Sequence, residues 1–222
     1  MYVRKIILSV LPLFLLAPAF ALGADLGSLD AAQARRELVA LFQNSIEITA
    51  FLIGAILTLA GGYKFKLHAD EGKIGWSMGM IYILVGVLMM NVSDSLSVMT
   101  NTFFKVDFCT MIDDSGKASS SCFSSELSGL TGELKQRVEK LSSNTTAQKF
   151  MENIETIVGI FQVIGFIYFL VGLYGLVEVA NGSAEHGYGK PLITMIASAL
   201  IVDIPHTATT FIDTLNKIGI TF

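Results

Sequence analysis

The stretch IVGIFQVIGFIYFLVGLYGLV, residues 157–177, is 21 residues long, carries no charge and has Gln162 as its one strongly polar side chain. A helix needs about 20 such residues to cross the ~30 Å hydrocarbon core of a bilayer. Lipid offers backbone groups no partner, so a run of this kind must satisfy them within its own segment and is read as a transmembrane helix. Three more runs continue the pattern. Residues 46–63 are apolar or small apart from Glu47 and a few hydroxyls, and residues 74–90 carry no charge. Residues 192–202 form a shorter run that meets Asp203, Pro205 and His206. It either continues past Pro205 with a kink or is half-embedded.

Composition agrees with this reading. Of 222 residues, 52% are hydrophobic and 15% charged, and mean hydropathy is +0.61. That excludes a disordered chain. A net charge of −4 also lacks the basic surface of a nucleic-acid binder.

The N-terminus has the form of a secretory signal. Arg4 and Lys5 precede an apolar stretch over residues 6–17, and Ala19-Phe20-Ala21 offers a cleavage site. The alternative is an uncleaved anchor helix. The expected fold is therefore an all-α membrane protein with a cleavable signal segment and two transmembrane helical hairpins, four spans in all, separated by a periplasmic loop. Its divisions are a signal peptide at 1–24, a periplasmic amphipathic helix at 25–45 and a first hairpin at 46–92. A periplasmic loop at 93–150 and a second hairpin with its tail at 151–222 complete the chain.

The hairpins turn through residues 63–73 and 178–191. Lys64, Lys66, His68, Lys73 and Lys190 fall in those turns, which the positive-inside preference assigns to the cytoplasm. Each hairpin begins near an Ile-Glu pair (Ile46-Glu47, Ile154-Glu155), and each turn holds a His and ends in Gly-Lys. These pairings suggest an internal repeat; the alternative is two unrelated hairpins that share common turn residues.

The loop holds both cysteines, Cys109 and Cys122, with Asp113-Asp114-Ser115-Gly116 between them as a turn. In an oxidising compartment such a pair is a disulfide candidate; two free thiols or an incomplete metal pair are the alternatives. Leu127, Leu130, Leu134, Val138 and Leu141 then recur at helical spacing, which predicts an amphipathic helix.

Small residues line the spans. Gly72, Gly79 and Gly86 recur every seven residues, and Gly75 stands four before Gly79. Gly54 sits between Ala50 and Thr58, and Gly165 and Gly172 mark the third span. Such stripes predict close helix packing, within the chain or between copies.

No phosphate-binding loop, His-Glu-x-x-His or Gly-x-Ser-x-Gly occurs. The expectation is a protein that is not an enzyme, with no catalytic residue, cofactor or metal. Asp203 and His206 mark either the point where the fourth helix leaves the lipid or a polar path.

The signal-like start, the paired hairpins and the turn Tyr63-Lys64-Phe65-Lys66-Leu67-His68 followed by Gly72-Lys73 resemble one family. It is the small integral inner-membrane components of type IVB secretion systems, the Dot/Icm kind, with counterparts in IncI-type conjugation systems. The resemblance covers roughly half of the chain. It implies a structural inner-membrane subunit of an apparatus for macromolecule transfer, with the large loop in the periplasm. Its partners would be other membrane subunits, the lipid bilayer and copies of itself, with no direct contact to nucleic acid. Rival readings are a small ion or solute channel or transporter, and a pilin-like subunit stored in the membrane.

Overall fold

Two long helices set the architecture. The computed structural model describes residues 31–72, 75–104 and 144–219, and among them there is no strand. Helix α1 runs over Ala31–Glu71. Helix α2 (Trp76–Met90) returns alongside it and bends by 91° into α3 (Val92–Phe104). Helix α4 (Asn144–Ala180) begins the second half. It is followed by α5 (Gly189–Val202), which bends by 100° into α6 (Ile204–Lys217). Leu41–Asp70 and Ile157–Ala180 are each long and apolar enough to cross a membrane, and the number of spans rises to four if each bent pair counts as one.

Several boundaries differ from the sequence reading, each for a local reason. No Gly or Pro interrupts residues 31–53, so the amphipathic segment and the first apolar run fuse into a single helix. The expected turn at 63–73 is helical as far as Glu71. The helix stops only at Gly72, whose φ of +64° suits a residue without Cβ and whose N–H bonds His68 O at 3.0 Å. Lys64, Lys66 and His68 therefore stand on the last turns of α1, not in a loop.

In the second hairpin, Gly182 at φ +67° closes α4. Ser183 N–H bonds Glu178 O at 3.0 Å and Gly182 N–H bonds Val179 O at 2.9 Å, the pair of bonds that defines a Schellman motif. Lys190 and Pro191 belong to the first turn of α5, where a proline's missing N–H has no helical partner to lose. The polar region expected from residue 93 starts as a helix, with Leu96 and Thr100 buried, and α4 begins at Asn144, inside the segment read as loop. The signal segment, Lys73, both cysteines and the helix expected over 127–141 lie outside the described residues.

Helix α1 packs along α2, and α4 along α5; contacts of α1 and α2 with α4 join the two hairpins. Val85, Met89 and Leu96 from the first half meet Phe166, Phe169, Leu173 and Val202 from the second in one core. The opposite faces carry large apolar side chains in the open: Ile56 is 66% exposed and Leu59 76%. In water such a belt is unfavourable; against lipid tails it is not.

The two halves repeat one design. A shift of 112 residues carries Asn91 onto Asp203, the residues at the two bends. Their backbones nearly coincide, at φ −122°, ψ 52° and φ −114°, ψ 57°. Breaking a helix there strips carbonyls of their intrahelical N–H. Each bend brings a hydroxyl to one of these carbonyls: Thr207 Oγ1 donates to Leu200 O at 2.9 Å, and Ser95 Oγ shares its proton between Leu88 O at 3.2 Å and Asn91 O at 2.8 Å. The same shift carries Ser95 onto Thr207 and Leu88 onto Leu200. The Ile-Glu and Gly-Lys pairs do not share this register. Gly72 ends a helix whereas Gly189 begins one, because the register is fixed by the helix contacts described below and not by the turns.

These hydroxyl latches should matter to stability. Thr207→Val keeps the shape but leaves Leu200 O without its donor, and should destabilise the second bend by about 1–3 kcal/mol. Ser95→Ala should do the same at the first, and Thr207→Ser should be nearly neutral. Unfolding in mixed detergent, followed by loss of helical circular dichroism, measures all three.

Candidate functional site

Glycines bring the helix backbones together. A Cβ placed on Gly54 would lie 2.5 Å from Gly86 O and 2.8 Å from Met90 N. On Gly86 it would lie 2.7 Å from Gly54 O and 2.8 Å from Thr58 N. The two glycines face each other across α1 and α2, and a methyl group on either one would force the backbones apart. One heptad further, a Cβ on Gly61 would lie 2.9 Å from Ile83 N and 3.0 Å from Gly79 O. Gly79 also accommodates the Phe65 ring, which stands 6.2 Å from the Trp76 ring.

The second hairpin uses the same seam. A Cβ on Gly165 would lie 2.9 Å from both Ser198 O and Val202 N, and on Gly172 it would lie 3.1 Å from both Met195 N and Pro191 O. A shift of 111 residues carries Gly54 and Gly61 onto Gly165 and Gly172. Their partners Gly79, Ile83, Gly86 and Met90 move by 112 onto Pro191, Met195, Ser198 and Val202. Gly72 and Gly75 are not in a seam: no heavy atom comes within 4 Å of a Cβ on Gly72, and only Ser77 Oγ, at 3.7 Å, does so on Gly75. Gly72 caps a helix, and Gly75 precedes one. Gly61 is the seam residue that the sequence reading passed over, although its spacing of seven from Gly54 matches that of Gly165 and Gly172.

At the bend end of the bundle, polar groups are buried. Asp203 is fully buried. Its Oδ1 is 2.8 Å from Nδ1 of His206, which is 13% exposed, and its Oδ2 has no hydrogen-bond partner among the described residues. Asp203 stands at the N-cap of α6 without capping it: Pro205 at N2 has no N–H to give, and the carboxylate does not take up the N–H of His206 at N3. On the first bend, Ser93 Oγ donates to Glu47, which draws α1 to the start of α3. Gln43, one turn before Glu47, is buried with neither amide atom bonded to a described residue.

At the opposite end, Lys64 links the hairpins. Its Nζ lies 4.6 Å from the centre of the Tyr82 ring and 3.4 Å from Asn181 Oδ1, and Asn181 Nδ2 donates to the Tyr82 hydroxyl. A cation over an aromatic face adds about 0.5–2 kcal/mol, depending on desolvation. Lys66 and Lys190 are exposed at this end, and His68 is half-buried. Among the described residues no group of three His, Cys, Asp or Glu side chains could hold a metal ion.

No family model matches this chain, and no curated protein or solved structure matches it either. The described residues are helical, with two or more helices long and apolar enough to span a membrane.

Substitutions in the seam should be graded by what the new atom meets. Gly86→Ala meets backbone on α1 and should cost about 1–3 kcal/mol. Gly62→Ala, with nothing within 4 Å, should be neutral or slightly stabilising. Detergent-unfolding midpoints of the two variants against the parent chain provide the comparison.

Proposed function

We propose that this chain is a structural subunit of the bacterial inner membrane, within a type IV secretion or conjugation apparatus that moves macromolecules. The observation that carries the reading is the double glycine seam. Backbones in direct contact make each hairpin stiff, and the faces turned away from the core carry large apolar side chains such as Ile56, Leu59 and Ile193 on the outside. Such a body suits a scaffold that presents fixed surfaces to lipid and to neighbouring subunits. No nucleotide site is assigned to it, so the energy for transfer would come from separate ATPases.

In this reading the ends carrying Lys64, Lys66, Lys73 and Lys190 face the cytoplasm. The bends and residues 105–143 face the periplasm, and Cys109 and Cys122 form a disulfide there. The fully buried Asp203, one oxygen of which has no hydrogen-bond partner among the described residues, favours a second reading: a small ion channel or transporter.

Membrane complexes purified through a tag on this chain should contain the other inner-membrane subunits encoded in one secretion gene cluster, and deletion of its gene should abolish transfer. Transfer that persists without it would remove the scaffold reading. Ion flux through liposomes of the purified chain alone would favour the channel. Cysteines placed at Asp70 or Ala184 should be protected from an impermeant thiol reagent in spheroplasts, and one at Ser120 should react. Labelling at position 70 would invert the orientation.

A further inference from the structure

The register of the seams fixes where the bends lie along the apolar belt. Gly165 packs level with Ser198 and Val202 at the end of α5, and Gly54 packs level with Met90, the last residue of α2. Past these levels the long helices stay apolar and open, with Ile157 and Ile160 exposed on α4 and Ile48 on α1. Ile157 stands eight residues before Gly165, and Ile48 six before Gly54. At 1.5 Å per residue the belt thus runs about 9–12 Å beyond the glycine contacts that end each seam. Helix α5, with 14 residues, covers about 21 Å of a hydrocarbon core ~30 Å thick. The layer missing from that crossing is about one helix diameter, ~10 Å.

Helix α6 lies in that layer. It leaves α5 at 100°, and α5 runs along α4, a candidate span, so α6 runs across the bundle axis and close to the plane of the membrane. Its sequence has two faces. At 3.6 residues per turn, Ile204, Ala208, Phe211, Ile212 and Leu215 fall in one arc, and Thr210, Asp213, Thr214 and Lys217 lie on the other side. Protein does not cover the apolar arc. Phe211 is 63% exposed and Ile218, which continues the arc, 67%, while Ile212 and Leu215 are half-buried. Helix α3 leaves α2 in the same layer but turns its apolar face inward, with Val92 and Leu96 buried.

We propose that α6 is an interfacial helix, a lipid-binding surface at the boundary between acyl chains and headgroups. Phe211, Leu215 and Ile218 sit among the chains, and Asp213 and Lys217 among the headgroups. Lipid is the occupant for two reasons. The apolar belt of α4 continues to the same level. A helix lying in the plane at the edge of the hydrocarbon meets an apolar medium on one side and water on the other, which is the division that this sequence shows. The exposed charges of α6, Asp213 and Lys217, cancel, so the apolar face carries the binding and no anionic headgroup is required. Each bent pair then makes one crossing, with α5 supplying most of its length and α6 its last layer. The inference needs only a chain that spans the membrane, and it is the same for a transfer apparatus and for a channel.

The test uses the full-length chain in phosphatidylcholine nanodiscs. Trp76 is the one tryptophan, so Trp76→Phe clears the background for a single new indole. That indole enters as Phe211→Trp, as Ile218→Trp on the same face, or as Lys217→Trp on the polar face. Its fluorescence is measured with lipid brominated near the headgroup end of the acyl chains, with lipid brominated near the methyl end, and with aqueous iodide. The indoles at positions 211 and 218 should lose most of their emission to the headgroup-end bromines, less to the methyl-end bromines and little to iodide. The indole at position 217 should lose its emission to iodide instead. Circular dichroism checks that helix content matches the parent chain, and either apolar-face reporter suffices where the other position does not tolerate the ring. Strongest quenching by the methyl-end bromines would overturn the proposal, since α6 would then continue the span. Iodide quenching at positions 211 and 218 would overturn it too, with α6 standing in water. So would protection from bromine and iodide alike, since protein, a second copy or another part of this chain, would then cover the face.

Discussion

Everything in this structure depends on how closely two helix backbones can approach. Where Gly54 meets Gly86, atoms of one main chain occupy the space a Cβ would need on the other. In water, apolar surface would drive such helices together. In lipid, tails are as apolar as leucine, and the gain must come from contact itself. A glycine seam maximises that contact, and it also fixes the axial register of each hairpin. That register places Glu47 beside Ser93 and sets both bends at one end of the bundle. There α3 reaches α5 and α6, and the halves close on each other.

Bending a helix raises a second constraint, because each break frees carbonyls from their N–H partners. The two halves answer it alike, with a hydroxyl on the first turn after the break. Pro205 is thus not the cause of the second bend. The first bends almost as far, 91° against 100°, with Ser93 at the corresponding position. Proline there removes an N–H that the bend had already disconnected.

The long apolar helices were legible in the sequence because lipid imposes a length and a composition that few other environments share. The hairpin pairing and much of the first seam were legible for the same reason: Gly79 and Gly86 stand out in an uncharged run. The bends were not. Their mark is an Asx followed four residues later by Ser or Thr, and it is common in any chain. It acquires meaning only when Asn91 and Asp203 are seen to share backbone angles. The repeat was visible, but in misleading pairs. Turn residues such as Gly72-Lys73 and Gly189-Lys190 are chosen by local geometry, whereas contact residues carry the register. The burial of Asp203 was not decided by the sequence, because an acid two residues before a proline at the end of a short apolar run fits the edge of the membrane as well as a polar path.

The halves also differ in a way that explains their unequal glycine content. In the first hairpin both helices contribute, with Gly54 and Gly61 facing Gly79 and Gly86. In the second, α4 contributes Gly165, Gly172 and Gly175, while α5 presents Ser198, Met195 and Pro191. Glycine on one side suffices when the other offers a small hydroxyl or a flat ring: the Pro191 ring lies 3.1 Å from where a Gly175 Cβ would be. A proline ring in the first turn of α5 disturbs no hydrogen bond and fills the gap that a third glycine leaves. On α5 the close approach is thus carried by side chains rather than by glycine, the helix also packs against α3 and α6, and it is at the end of this helix that the buried acid stands.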